Sequence, residues 1–264
     1  MRGWIFVIAL LLPAAAPGAA LDAREIIARS VAANKADWKA QAEYSYMERV
    51  RDGGETRTYE VIMILGSPYK RLVRVNGKPL SPEQNAEQER ELAKTIAERR
   101  AESPEQRAQR IAGYEKDRKR DHDLMEQLTV AFDFELLGQR RLGNYDVYVL
   151  RATPRPGYQP PNVETQVLTG MKGKLWIDTK TFQWVKVEAQ VVHPVSIEGF
   201  LARVEPGTYF ELEKTPVEDG LWMPAHFQMK SKSKVLFLFN HKTQEDKTYF
   251  DYRRTEAAHG AGAP

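Results

Sequence analysis

The sequence predicts an α+β fold: one antiparallel sheet with an N-terminal helix and a charged helical hairpin inserted midway. Three observations predict it. Most of the chain falls into short runs that alternate apolar and polar residues at period two; residues 22–38 carry apolar side chains at helical spacing; and residues 82–130 are rich in Glu, Gln, Arg, Lys and Ala, opened twice by Ser-Pro. The 264 residues contain 42% hydrophobic and 28% charged side chains, a globular balance that suits a single domain over residues 21–256. A net charge of +3 is too small for an electrostatic nucleic-acid binder, so no nucleic-acid partner is expected.

Met1 and Arg2, the apolar run over residues 4–12 and the following Ala/Pro/Gly stretch have the form of a secretory signal peptide, residues 1–20, with cleavage after Ala20. Pro13 and Pro17 oppose the alternative, an uncleaved helical anchor. No later stretch approaches the roughly 20 apolar residues of a membrane-spanning helix. There is no cysteine, which excludes disulfides, thiolate metal sites and a lipid-modified N-terminal cysteine. The expected location is therefore the periplasm, with a chain that is not lipidated.

In chain order, Ile26, Ile27, Ser30, Val31 and Trp38 form one helical stripe with Asp22 as N-cap, and this helix should lie on the sheet. Residues 42–50 and 56–65 flank Asp52, Gly53 and Gly54, and residues 69–75 follow a second turn, so a three-stranded meander is expected. Ser81, Pro82 and Glu83 then start a helix, and Ser103 and Pro104 repeat the signal. The resulting hairpin has a thin apolar stripe and balanced charges, as a solvated surface or a partner platform would have.

Strands resume at residues 132–137 and 145–152. Residues 154–170 read as a proline-rich loop, either an inert connection or a cover over a cavity mouth. The clearest hairpin joins residues 175–178 to residues 184–191, with Val185, Val187, Ala189 and Val191 on one face. Further strands are expected at residues 196–204, 208–215, 221–230, 235–241 and 248–253. The run VLFLF at residues 235–239, apolar on both faces, is expected in a central strand. Residues 257–264 read as a disordered tail.

The order of parts, with the segments LGSPYKRLVRVNGKPL, YDVYVLRATP and GKLWIDTKTFQWVKVEAQ, resembles the outer-membrane lipoprotein carrier and sorting (LolA/LolB-like) superfamily, whose fold also occurs in periplasmic sigma-factor regulators. The resemblance implies a strongly curved antiparallel sheet, a half-barrel, whose apolar cavity holds lipid or lipoprotein acyl chains. On that expectation Trp176, Trp184, Phe200, Phe210, Trp222, Phe227, Phe237 and Phe239 are cavity candidates, and Lys230, Lys232 and Lys234 are headgroup candidates. The charged excursion over residues 82–128 departs from the family. It supports an alternative, a cell-envelope interaction module without a ligand cavity that docks a protein partner through this hairpin.

No catalytic signature emerges. His122, His193, His226, His241 and His259 occur singly, without an i, i+4 partner, and no Gly-x-Ser-x-Gly elbow or phosphate loop is present. Glu211, Glu213 and Asp219 are the acids that a sheet edge would gather, and isolated acids on strands are commonplace. The sequence thus predicts a non-catalytic protein with no metal and no cofactor.

Overall fold

The computed structural model describes residues 21–197, 202–218, 220–235 and 239–255. Residues 1–20, where a signal peptide is expected, Phe200, Phe237, Asp219 and residues 256–264 lie outside these residues.

Helix α1 (Ala23–Gln41) starts where Asp22 accepts the Glu25 backbone N–H at 2.8 Å. Strands β1 (Tyr44–Asp52), β2 (Glu55–Ile64), β3 (Ser67–Val75) and β4 (Lys78–Pro79) form the first meander. Helices α2 (Pro82–Ala101) and α3 (Pro104–Ala131) follow, then β5 (Phe132–Leu142), β6 (Tyr145–Pro154), β7 (Met171–Asp178) and β8 (Trp184–Val191). The chain ends with β9 (Val195–Ile197), β10 (Ala202–Val204), β11 (Tyr209–Pro216), β12 (Trp222–Val235) and β13 (Phe239–Arg254).

All strands pair antiparallel in the order β4-β3-β2-β1-β13-β12-β11-β8-β7-β6-β5, with β10 beside the end of β12 and β9 beside β10. The path has two unpaired ends, β4 and β5, and the sheet is neither closed nor strongly curled. This corrects the expected half-barrel. Helix α3 touches β3 near one end of the path and runs directly into β5 at the other.

The main core lies between the sheet and its helices. Ile26 and Ile27 of α1 pack against Leu150, Leu175, Ile177, Trp184 and Val187. A smaller cluster on the other face holds Val147, Val149, Val185 and Trp222. Leu175 and Ile177 alternate with Trp176 between these clusters, as the strand period requires.

Several expectations change in detail. Val185 does not share a face with Val187 and Val191, because a bulge pairs Trp176 with Lys186 and Ile177 with Trp184, leaving Val185 as the extra residue. Residues 154–170 are not structureless: Glu164–Gly170 forms a short 3-10 helix, and its Leu168 and Thr165 are buried. Residues 196–204 hold two three-residue strands rather than one. Of VLFLF, Val235 ends β12 and pairs with Phe239 at the start of β13, and residues 236–238 lie outside the described residues.

One polar group of contacts joins α1 to the sheet. Lys214 of β11 ion-pairs with Asp37 and donates to Asn34 Oδ1 at 2.7 Å. Asp37 Oδ1 also accepts from Gln183 Nε2 and from the Trp222 backbone N–H, each at 3.1 Å. Asp37 is 3% exposed and Lys214 9%. Burial lowers the Lys214 pKa against the pull of Asp37, so the pair is held by its hydrogen bonds as well as its charge. Removing one partner strands the other. Asp37→Ala is expected to cost about 3–5 kcal/mol in urea unfolding, whereas Asp37→Leu combined with Lys214→Met should cost less than either single change.

Candidate functional site

The helical hairpin is built by a repeated local device. Ser81 and Ser103 each accept the backbone N–H three residues on, at 3.2 Å, while Gln84 and Gln106 reach back to the serine N–H at 3.0 and 2.9 Å. Pro82 and Pro104 occupy the first helical positions, where a missing N–H has no cost. None of the 20 residues of α2 is buried.

Two arginines nevertheless fix the hairpin to the β2–β3 turn. Arg99 donates to the carbonyl oxygens of Ile64, Ser67 and Pro68 at 2.9, 2.7 and 3.1 Å. Arg110 donates to Ser67 Oγ at 2.6 Å and Leu65 O at 3.1 Å, and grips Glu102 through two 2.6 Å bonds. Leu65 lies in the turn and Ile64, Ser67 and Pro68 in the strand ends beside it, and the guanidinium forks donate to all four carbonyl oxygens. Gly66 sits in the left-handed region at φ +90°, and a Cβ there would lie 2.8 Å from Ile111 Cδ1. Farther along α3, the Arg118 guanidinium stacks 4.6 Å from the Trp38 ring, tying the hairpin to α1.

On the sheet face away from α1, strand register brings a second group together. Glu211 lies opposite Glu188, and Glu213 lies between Lys186 of β8 and His226 of β12. The Lys186 ammonium is 3.1, 3.0 and 3.3 Å from Glu188, Glu211 and Glu213. Burial works against this ammonium, but the Glu211 and Glu188 carboxylates outweigh it and raise its pKa. Burial likewise opposes the Glu211 carboxylate, which hydrogen bonds from Tyr209 and Lys186 hold below its ordinary pKa. His226 Nε2 is 3.2 Å from Asp246 Oδ1. Of the three acids singled out from the sequence, Glu211 and Glu213 do meet, within the sheet rather than at its edge. Sequence reading missed His226 and Lys186, whose proximity depends on cross-strand register.

The cavity candidates do not converge. Trp184 lies in the helix-side core with Phe210 packed against it, whereas Trp222 and Trp176 belong to the opposite cluster. Phe227 is partly buried on β12, opposite Leu212. Phe239 opens β13 by its backbone, and Phe200 and Phe237 lie outside the described residues. Lys230, Lys232 and Lys234 fall at alternate positions of β12, with Lys230 and Lys232 exposed. Their strand is interior to the sheet, flanked by β13 on one side and by β11 and β10 on the other.

Two depressions among the described residues are open to solvent. One, of about 410 Å³, lies between α2 and α3 and includes Arg99, Glu102, Gln106 and Arg110. The other, of about 650 Å³, includes Thr215, Val217, Tyr249 and Tyr252. Neither contains any of the aromatic cavity candidates. The lipid-carrier expectation is therefore corrected: the sheet does not curl around a greasy space, and side chains fill the interior beneath α1.

No family model and no curated protein matches the chain. Among solved structures, a putative outer membrane lipoprotein-sorting protein domain from Vibrio parahaemolyticus is 13% identical, with a TM-score of 0.32 over 89% of this chain and 95% of that one. A DUF1329 family protein from Desulfovibrio piger is 10% identical, with a TM-score of 0.31 over 90% and 93%. The Pseudomonas aeruginosa MucA/MucB complex contributes a chain that is 11% identical, with a TM-score of 0.23 over 86% and 99%. The similarity is distant and broad in coverage, and at these scores it carries no argument about activity or partner. No helix among the described residues is long and apolar enough to cross a membrane.

The clamp makes a specific mechanical claim. Arg99→Ala should speed amide hydrogen exchange throughout α2 while leaving β6–β8 amides unchanged. Gly66→Ala, strained in φ and driven against Ile111, should destabilise the protein by about 1–3 kcal/mol in thermal or urea unfolding.

Proposed function

We propose that this chain is a non-catalytic protein-interaction module of the cell envelope, and that it engages a protein partner through the charged helical hairpin. The observation that carries the reading is the combination in α2: no residue of the helix is buried, yet Arg99 ties it to three backbone carbonyl oxygens. An exposed helix of this kind adds little hydrophobic stability to the fold. Clamping it in one orientation is useful when the exposed face must be presented rigidly, because ordering is then complete before association.

The surface offered is polar and of mixed sign, including Glu87, Arg90, Glu91, Lys94 and Glu98. Such a surface favours a charged protein face over an acyl chain, and its recognition would depend on ionic strength. The periplasmic location in this proposal rests on the signal-like N-terminal pattern.

The test is site-specific photo-crosslinking in the native envelope. A crosslinker at Glu91 or Lys94 of α2 should yield a discrete protein adduct, and one at Lys172 or Lys174 on the opposite sheet face should not. Releasing the helix with Arg99→Ala and Arg110→Ala should abolish the adduct while the protein remains folded and exported. Equal adducts from both faces, or none from α2, would remove the hairpin as the docking surface. Recovery of the chain only in the cytoplasm would remove the envelope assignment.

A further inference from the structure

We propose that Glu211, Glu213 and His226 form a binding site for a first-row divalent cation of the zinc class, in which the Lys186 ammonium holds the cation position when no metal is bound. The three donor groups offer ligand atoms that all lie within 4.8 Å of one another, so small side-chain rotations would bring them to the bond lengths of about 2.0–2.2 Å that one ion requires. They come from two adjacent strands, each side chain is partly buried, and Glu213 and His226 form the last directly opposed pair before a bulge at Ala225. The backbone thus sets their separation, as a preorganised site requires.

The donor set is mixed. One imidazole with two carboxylates suits zinc and its neighbours better than magnesium, which prefers an all-oxygen octahedron with several waters. The surroundings supply what such ligands need. Asp246 of β13 holds one ring nitrogen of His226 at 3.2 Å, the outer carboxylate contact that commonly orients a ligating imidazole, and the Tyr209 hydroxyl donates to Glu211.

Lys186 is the second observation. A single ammonium stands among Glu188, Glu211 and Glu213, so the acids already enclose a positive charge. Arg51 lies 3.6 Å from Asp246 and is largely exposed, and Lys247 pairs with Glu245 instead. Lys186 is one ammonium in contact with three carboxylates, with Lys174 of β7 placed opposite Glu188, and a divalent ion would add positive charge where Glu211 and Glu213 meet. On metal binding, Lys186 would keep Glu188 at 3.1 Å and give up Glu211 and Glu213. No covalent bond is made or broken in this exchange.

The model makes opposite predictions for ligands and competitor, which separates it from nonspecific binding to acids. Zn²⁺ should titrate into the chelator-treated full chain as a single saturable site by calorimetry. His226→Gln and Glu213→Gln should each weaken it about 10- to 100-fold, and Mg²⁺ should compete poorly. Lys186→Met should strengthen it. Binding unaffected by both ligand substitutions, or absent from the wild-type chain, overturns the site. If Lys186→Met folds and binds no more tightly, the lysine's role as resident cation is overturned; if it does not fold, the two ligand variants decide the proposal.

Discussion

The buried Lys214–Asp37 pair is the constraint on which the rest of the structure depends. Taking two charges out of water is favourable only where geometry is good and every remaining lone pair or proton is met. Asn34 meets them from the same helix as Asp37, and Gln183 and the Trp222 backbone N–H from two other places in the chain. The pair can form only when α1, β11, the β7–β8 turn and the start of β12 are all in place. Apolar packing of Ile26 and Ile27 presses α1 to the sheet, and the ionic contact selects one position along it.

With α1 set, α3 has a fixed neighbour. Arg118 stacks on Trp38, Arg110 reaches the β2–β3 turn, and the C-terminal end of α3 runs directly into β5. This long helix therefore braces the first meander against the second on the helix-covered side, while the β1–β13 ladder joins them within the sheet. Helix α2 has no comparable apolar hold. Its position comes from the Arg99 hydrogen bonds and from Gln88, which accepts the Leu72 N–H at 3.1 Å. Rigidity from hydrogen bonds rather than burial leaves its outer surface free for association.

The other face of the sheet follows a different logic. Beyond the small cluster around Trp222, the cross-strand neighbours on β8, β11 and β12 are polar or charged: Glu213 lies opposite Lys186 and His226, while Glu211 lies opposite Glu188 and Gln228. Such pairs support the ladder modestly when exposed. Around Lys186 they converge on one ammonium. That concentration distinguishes the Glu211–Glu213–His226 group from the scattered ion pairs elsewhere on the surface.

Local chemistry was legible in the sequence wherever it acts over a few residues. Asp22, Ser81-Pro82 and Ser103-Pro104 marked helix starts because capping needs only the next three residues, and the Trp184–Val191 strand showed its period because neighbouring side chains face opposite ways. The structure decided what depends on distant partners. A bulge moved Val185 to another face, and strand order left the sheet open where resemblance had implied a half-barrel. Most of the candidate site was equally hidden. Arg99 was one basic residue among many until the β2–β3 turn lay beside it, and His226 had no local partner because Glu213 reaches it only through antiparallel register. The sequence by itself determined the elements, since backbone propensity and side-chain period are short-range. Only the tertiary structure decided their closure, packing and charge convergence, which arise between residues far apart along the chain.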